Sequence, residues 1–307
     1  MRTLQTIILV TAAAIMPLRA EEGEATPADN FLEVGEYRLL YPSTYINDHC
    51  VIYDKDSAKW HMYGIPDGHK RFIHLTSDSL TASPWKRDKD FTYGGVEIWA
   101  PHVVRHEQKY WMFFTAIGKP RQIALSTTED IAAGNWTSAT NNPILAQRNH
   151  DGSDGKNKDC MILRDGDQWI MYYSMVKARP HGKDQWVVGY RTSPDLLSWS
   201  EPQIAFDENP SPDPGVESPF VVKRGKYYYL FLSARPWPCG GVDVFRSESP
   251  RHWDPKHDFV KRFPRDPTKA HAMEIIQDRD GKWYITRCGP KMGGWWLAPL
   301  TWNDGQD

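Results

Sequence analysis

Five times along the chain a short apolar run, a tight polar turn and an aromatic-rich run follow one another, and this repetition constrains the fold more than any other feature. The fullest copy is the stretch 215–233, GVESPFVVKRGKYYYLFLS. Phe220, Val221 and Val222 precede the turn Lys223-Arg224-Gly225-Lys226, and the run Tyr227 to Phe231 follows it. β-Branched and aromatic residues on both sides of a glycine turn predict a hairpin. The other copies start after Asp48 (CVIY), at Pro101 (HVVR), after Asp159 (CMILR) and after His271 (AMEII). The five anchors Asp48, Pro101, Asp159, Glu217 and His271 therefore stand 53, 58, 58 and 54 residues apart. Periods of about 20–50 residues or slightly more indicate a solenoid or a propeller rather than one continuous core.

Each of the first four hairpins is followed by a third strand candidate and a polar turn ending near a tryptophan: Trp85, Trp136, Trp199 and Trp253. A wide indole fills the space between stacked sheets, so these four are expected in the core. Five sheets of three or four strands predict an all-β, five-bladed β-propeller whose innermost strands line one channel. Such a repeat accommodates the whole mature chain, 21–307, as one domain.

The first twenty residues carry Arg2, an apolar run from Leu4 to Met16, and small Ala20 before the acidic pair Glu21-Glu22. This is the pattern of a secretory signal peptide, and the run is too short for a membrane span of about 20 residues. Export to the periplasm or medium is expected, with the mature chain acting as a monomer. A formal charge of −2 and scattered basic residues exclude an electrostatic nucleic-acid binder. Aromatic content of 13 % suits stacking on sugar rings, though propeller sheets also use aromatics heavily. The four cysteines (Cys50, Cys160, Cys239, Cys288) contain no CxxC pair, and mostly free thiols are expected, with Cys239–Cys288 the first pairing to test.

Chemistry is expected where the inner strands begin. Asp48 in isolation reads as a turn former, and Trp99 as either packing or the floor of a sugar pocket. Glu217 at the start of a buried strand costs heavily unless paired or protonated. Three acids, Asp48, Asp159 and Glu217, brought by the repeat to one channel mouth point jointly to acid–base work. The segments 146–157, 179–185 and 206–214 are expected to wall the pocket.

With ESPFV, KRGKYYYLFLS, WAPHV, KYWMFFTA and the closing GGWWLAPLTW on view, the chain resembles the arabinanases, arabinofuranosidases and β-xylosidases of glycoside hydrolase family 43 from about Asp48 to Leu300. The resemblance implies Asp48 as general base, Glu217 as general acid and Asp159 as a third carboxylate that orients the acid. It implies His271 as a channel histidine that helps hold an ion or water, and Arg287 as a basic group near the sugar. No cofactor is required, and a Ca²⁺ ion in the channel is left open. The expected reaction is removal of a terminal arabinofuranose or xylose from an oligo- or polysaccharide with inversion. A retaining fructosidase-like enzyme with Asp48 as nucleophile, a phosphorylase, or a non-catalytic sugar-binding propeller using Trp99 are the alternatives. The chain departs from the family pattern at His102 (usually Asp), at Lys158-Asp159-Cys160 (usually Arg-Asp-Pro) and at His49 (usually Pro).

Overall fold

The computed structural model describes residues 31–118, 122–146, 157–177, 185–208, 216–233, 241–263, 272–289 and 293–305. The expected signal segment, His271, Cys239 and most of the expected pocket walls lie outside them.

The described residues form five antiparallel sheets and no helix, arranged as a five-bladed β-propeller. Blade one orders Asn47–Asp54, Lys59–Ile65, Ile73–Ser77 and Lys86–Arg87 from the axis outward, and blade two begins with Glu97–His106 and Lys109–Ile117. Blade three begins with Lys158–Asp165 and Gln168–Lys177, and blade four with Glu217–Arg224 and Tyr227–Ser233. The second strand of each of blades one to four is buried almost end to end. That explains why these strands read as unbroken apolar and aromatic runs: a neighbouring blade covers each face, so neither face alternates with solvent. The turns between inner strands use left-handed backbone, with Gly166 at φ 60° and Gly225 at φ 53°, where a residue without Cβ is unstrained.

Five apolar clusters fill the five gaps between blades. Trp85 and Trp295 meet edge to face at 4.7 Å between blades one and five, and Trp253 is fully buried between blades three and four, its Nε1 donating to Tyr228 O at 3.1 Å. Trp136 and Trp199 are only half-buried; they cover the edges of the clusters against Tyr63 and Phe113. Their place in the repeat is as expected, but both were expected in the core and each stays partly exposed.

The ring is closed by strands the repeat did not announce. Blade five consists of Ile275–Gln277, Trp283–Cys288 and Trp295–Trp302, and its outer edge comes from the other end of the chain, Leu32–Val34 and Arg38–Tyr41. Leu32 pairs with Trp302 and Arg38 with Leu297. Pro299 divides this edge in two. Its carbonyl accepts from Gly35 N at 2.9 Å, but proline has no N–H to return, so the ladder lapses there. A buried bidentate pair, Arg224 to Asp304 at 3.0 Å on both arms, fastens the end of the closing strand to blade four.

Candidate active site

The inner strands of blades one to four all slip register in their first half, between Asn47 and His49, Trp99 and His102, Lys158 and Met161, and Glu217 and Phe220. In blades two to five a non-glycine residue there takes the left-handed conformation: Ala100, Asp159, Ser218 and Ala272, at φ 47–58°. Bulges of this kind re-aim side chains at the rims of sheets, and residues other than glycine hold φ > 0 at a cost.

The bulge corrects the equivalence expected among the acids. Asp159 is itself the left-handed residue of its blade, whereas Glu217 stands one position before left-handed Ser218. The true counterpart of Glu217 in blade three is Lys158. Because these two occupy the same place in adjacent blades, their side chains meet, with Lys158 Nζ 2.5 Å from Glu217 Oε1 and 3.2 Å from Asp159 Oδ2. Asp159 Oδ2 also lies 3.4 Å from Ser174 Oγ and 3.4 Å from Ser218 N across the blade boundary. Burial alone would pull the Lys158 ammonium down, but the Asp159 and Glu217 charges, aided by Asp48, hold it well above the usual lysine range. The lysine also sits 5.5 Å over the Trp186 ring. In the sequence Lys158 stands out only as a departure from an arginine, and nothing near it signals that it joins two acids.

Asp48 and Asp159 both line a cavity of about 30 Å³ on the axis, to which all five blades contribute. That is room for about one water, so a sugar has to sit above this cavity rather than in it. The neighbour of Asp48 also borders this cavity, but its ring is held by blade five. His49 Nε2 is 2.6 Å from Thr286 Oγ1, its Nδ1 is 3.6 Å from Cys288 Sγ, and its ring packs edge-on to Trp295, so it joins blades one and five. Cys50 and Cys160 are buried free thiols.

Deeper on the axis, Glu274 Oε2 accepts from Val51 N at 3.0 Å and Glu274 Oε1 lies 3.7 Å from His102 Nδ1. Burial pushes the Glu274 carboxyl up, and His102 opposes that. His102 thus has a partner in blade five that no reading of its own motif could supply. Among the described residues no three carboxylate, imidazole or thiol groups converge to hold a cation.

Trp99 is half-buried on the blade-two rim, its Nε1 donating to Glu97 Oε1 at 2.7 Å. Arg287 does not line the axial cavity: its guanidinium sits over the Tyr37 ring at 3.8 Å, with Trp296 at 5.9 Å. A larger hollow of about 540 Å³, bordered by Arg224, Lys282 and Trp283, lies at the hairpin-turn end of blades four and five and contains none of the three acids.

Replacing Lys158 with Met is expected to destabilise the protein by about 2 kcal/mol at neutral pH, because two nearly buried carboxylates lose a charged donor. Urea titration at pH 7 and again near pH 4 checks this: the deficit should shrink as the carboxylates take up protons, and an equal deficit at both would place the effect in packing.

The model of the family described as Glycosyl hydrolases family 43 matches residues 74–305. An arabinan endo-1,5-α-L-arabinosidase A of Aspergillus niger is 26 % identical over 156 residues, which is 49 % of this chain and 44 % of that protein. The chain thus spans less than half the length of that curated relative. Among solved structures, an endo-arabinase from Bacteroides thetaiotaomicron superposes with TM-score 0.69 at 16 % identity, covering 88 % of this chain and all of the other. A β-fructofuranosidase of Bombyx mori superposes with TM-score 0.66 at 18 % identity, covering 87 % of this chain and 61 % of the other. At such identities these two show a shared fold.

Proposed function

The chain belongs to glycosyl hydrolase family 43, and from that premise we propose that it is an exported glycosidase that removes a terminal arabinofuranosyl or xylosyl unit from an oligo- or polysaccharide with inversion. One observation carries the reading: Asp48 and Asp159 face a single axial cavity, and Lys158 ties Glu217 to Asp159 at its edge. Hydrolysis of a glycosidic bond needs one carboxylate to activate water and one carboxylic acid to protonate the leaving oxygen, set on opposite sides of the scissile bond.

In this reading Asp48 is the base, and the space beside it, sized for about one water, suits the attacking water of an inverting reaction. Glu217 is the acid. Lys158 occupies its Oε1, so the sugar's glycosidic oxygen must replace the lysine there before a proton is passed on. Asp159 gives Lys158 somewhere to go, because its Oδ2 already lies 3.2 Å from the ammonium. Trp99 offers an aromatic face on the rim.

The test is a panel of aryl arabinofuranosides, xylosides, galactosides and fructosides, with NMR of the first-formed anomer. Release of arabinose or xylose with inverted configuration is expected. A retained anomer, a preference for the fructoside, or turnover that requires phosphate would each overturn the mechanism as stated, and no release from any donor would favour a sugar-binding propeller.

A further inference from the structure

The hollow of about 540 Å³ at the hairpin-turn end of blades four and five takes no part in the proposed reaction, and the length of an inner strand separates it from the three acids. Its volume falls within the range of about 300–1,000 Å³ usual for small-molecule sites, whereas the axial cavity holds about one water. Half-buried Trp283 and Tyr284 and buried Trp302 border it, with Gln277 and Thr301 exposed beside them.

The repeat gives no packing reason for Trp283. In every blade the last residue of the inner strand pairs with the first residue of the next: Asp54 with Lys59, His106 with Lys109, Asp165 with Gln168, Arg224 with Tyr227, and Gln277 with Trp283. Blades one to three thus place lysine or glutamine at this hairpin end, where solvent is close, and blade five places an indole. That indole is braced. Trp302 meets it edge to face at 5.6 Å, and the Arg224 guanidinium lies 5.5 Å from its ring centre. A half-open ring already held in place loses little freedom when an apolar surface settles on it.

Charge narrows the ligand. Two cations border the hollow and both are already matched, Arg224 by Asp304 at 3.0 Å on both arms and Lys282 by Asp280 at 2.6 Å, so an anion would have to compete with those carboxylates. The amide of Gln277 and the hydroxyl of Thr301 beside aromatic rings suit a neutral ligand rich in hydroxyl groups. A hollow of about 410 Å³ between blades one and two lacks that combination: Asp54, Asp56, Glu129 and Asp130 border it, and the hydroxyl of Tyr110 there donates to Asp54. We infer that the hollow beside Trp283 is a second carbohydrate site, which takes a stretch of neutral polysaccharide at the end of the propeller away from the acids. The inference rests on the proposed function for the kind of polymer, an arabinan or a xylan. A polymer held there offers its free ends to the Asp48 cavity at raised local concentration, a gain closed to a trisaccharide that cannot occupy both places.

Trp283→Ala removes the braced ring, and Thr301→Arg fills the hollow from an exposed position without disturbing the packing of Trp283 on Trp302. Each is made in the full chain, and again beside Glu217→Gln, which slows cleavage while affinity is measured by electrophoresis through gels containing linear arabinan or xylan. Either variant is expected to weaken affinity for the preferred polymer by fivefold or more and to raise KM on it, while kcat/KM on α-1,5-arabinotriose or xylotriose stays within twofold of wild type. Polymer affinity unchanged by Thr301→Arg, equal losses on polymer and trisaccharide, or a wild type with no affinity for either polymer overturns the second site. A wild type that cleaves no glycoside, yet is retarded by a polymer until Thr301→Arg is introduced, would sink the proposed hydrolysis and leave the second site standing.

Discussion

Glu217→Gln is expected to lower turnover of an oligosaccharide by a factor on the order of 10²–10⁴, the usual contribution of a positioned general acid. Glutamine keeps the shape of the side chain and cannot deliver a proton. The loss should depend on the leaving group: a dinitrophenolate leaves without protonation, so a dinitrophenyl glycoside should retain most of the wild-type rate. Binding of the trisaccharide should stay within a few-fold, since the amide still occupies the place of the carboxylate beside Lys158. Steady-state kinetics across a series of aryl leaving groups measures this directly. A steeper dependence on leaving-group acidity than wild type is the required sign. If the variant loses equally on every leaving group, Glu217 is not the acid, and the ion pair with Lys158 is then a structural clasp.

The repeat carried the fold in the sequence because each blade must be apolar on both faces; even the unbroken run Tyr227 to Phe231 follows from the neighbours that cover it. The strands that close the ring were not legible. Leu32–Val34 and Arg38–Tyr41 are short, and what holds them is the edge of Trp295–Trp302, more than 250 residues away. At the site, the sequence placed the acids at strand starts but not their relative phase. A one-residue bulge leaves the local pattern of residue types unchanged while reversing which side chain points to the axis, so Lys158 rather than Asp159 turned out to be the counterpart of Glu217. Glu274 and the His69–Glu97 pair escaped for a related reason: each is a contact between blades, Glu274 of blade five with His102 of blade two, and His69 of blade one with Glu97 of blade two. Such pairings exist only once the ring is built.

Acid should weaken this protein well above the pH at which its carboxylates are protonated, and the cause lies in blade one. His61 and His74 are completely buried, with His61 Nδ1 2.9 Å from His74 Nε2 and the rings stacked at 5.1 Å; Tyr63 stacks on His74 at 4.4 Å. One nitrogen donates to the other, an arrangement open to two neutral rings but not to two imidazolium ions. Burial lowers both from the ordinary 6.5 to about 4. Between these values the unfolded chain binds protons that the folded chain refuses, so the pair's contribution is complete above pH 6.5 and drains away as pH falls toward 4. A fall of that size corresponds to about 3 kcal/mol for each ring. The depressed carboxylates act lower down. Burial would raise Asp54, but hydrogen bonds from Ser57 and Tyr110 hold it at about 2, so its contribution is present above 3.8 and is lost only as pH falls toward 2. Urea unfolding between pH 7 and pH 4.5 therefore reads mainly the histidines. The double change His61→Leu with His74→Phe removes both rings at once, so neither imidazole is left facing an apolar side chain, and should flatten the pH dependence while keeping most of the stability at pH 7. A wild-type midpoint that does not move between those pH values, or one that moves as much in the double variant, would show that the buried pair is not what acid attacks.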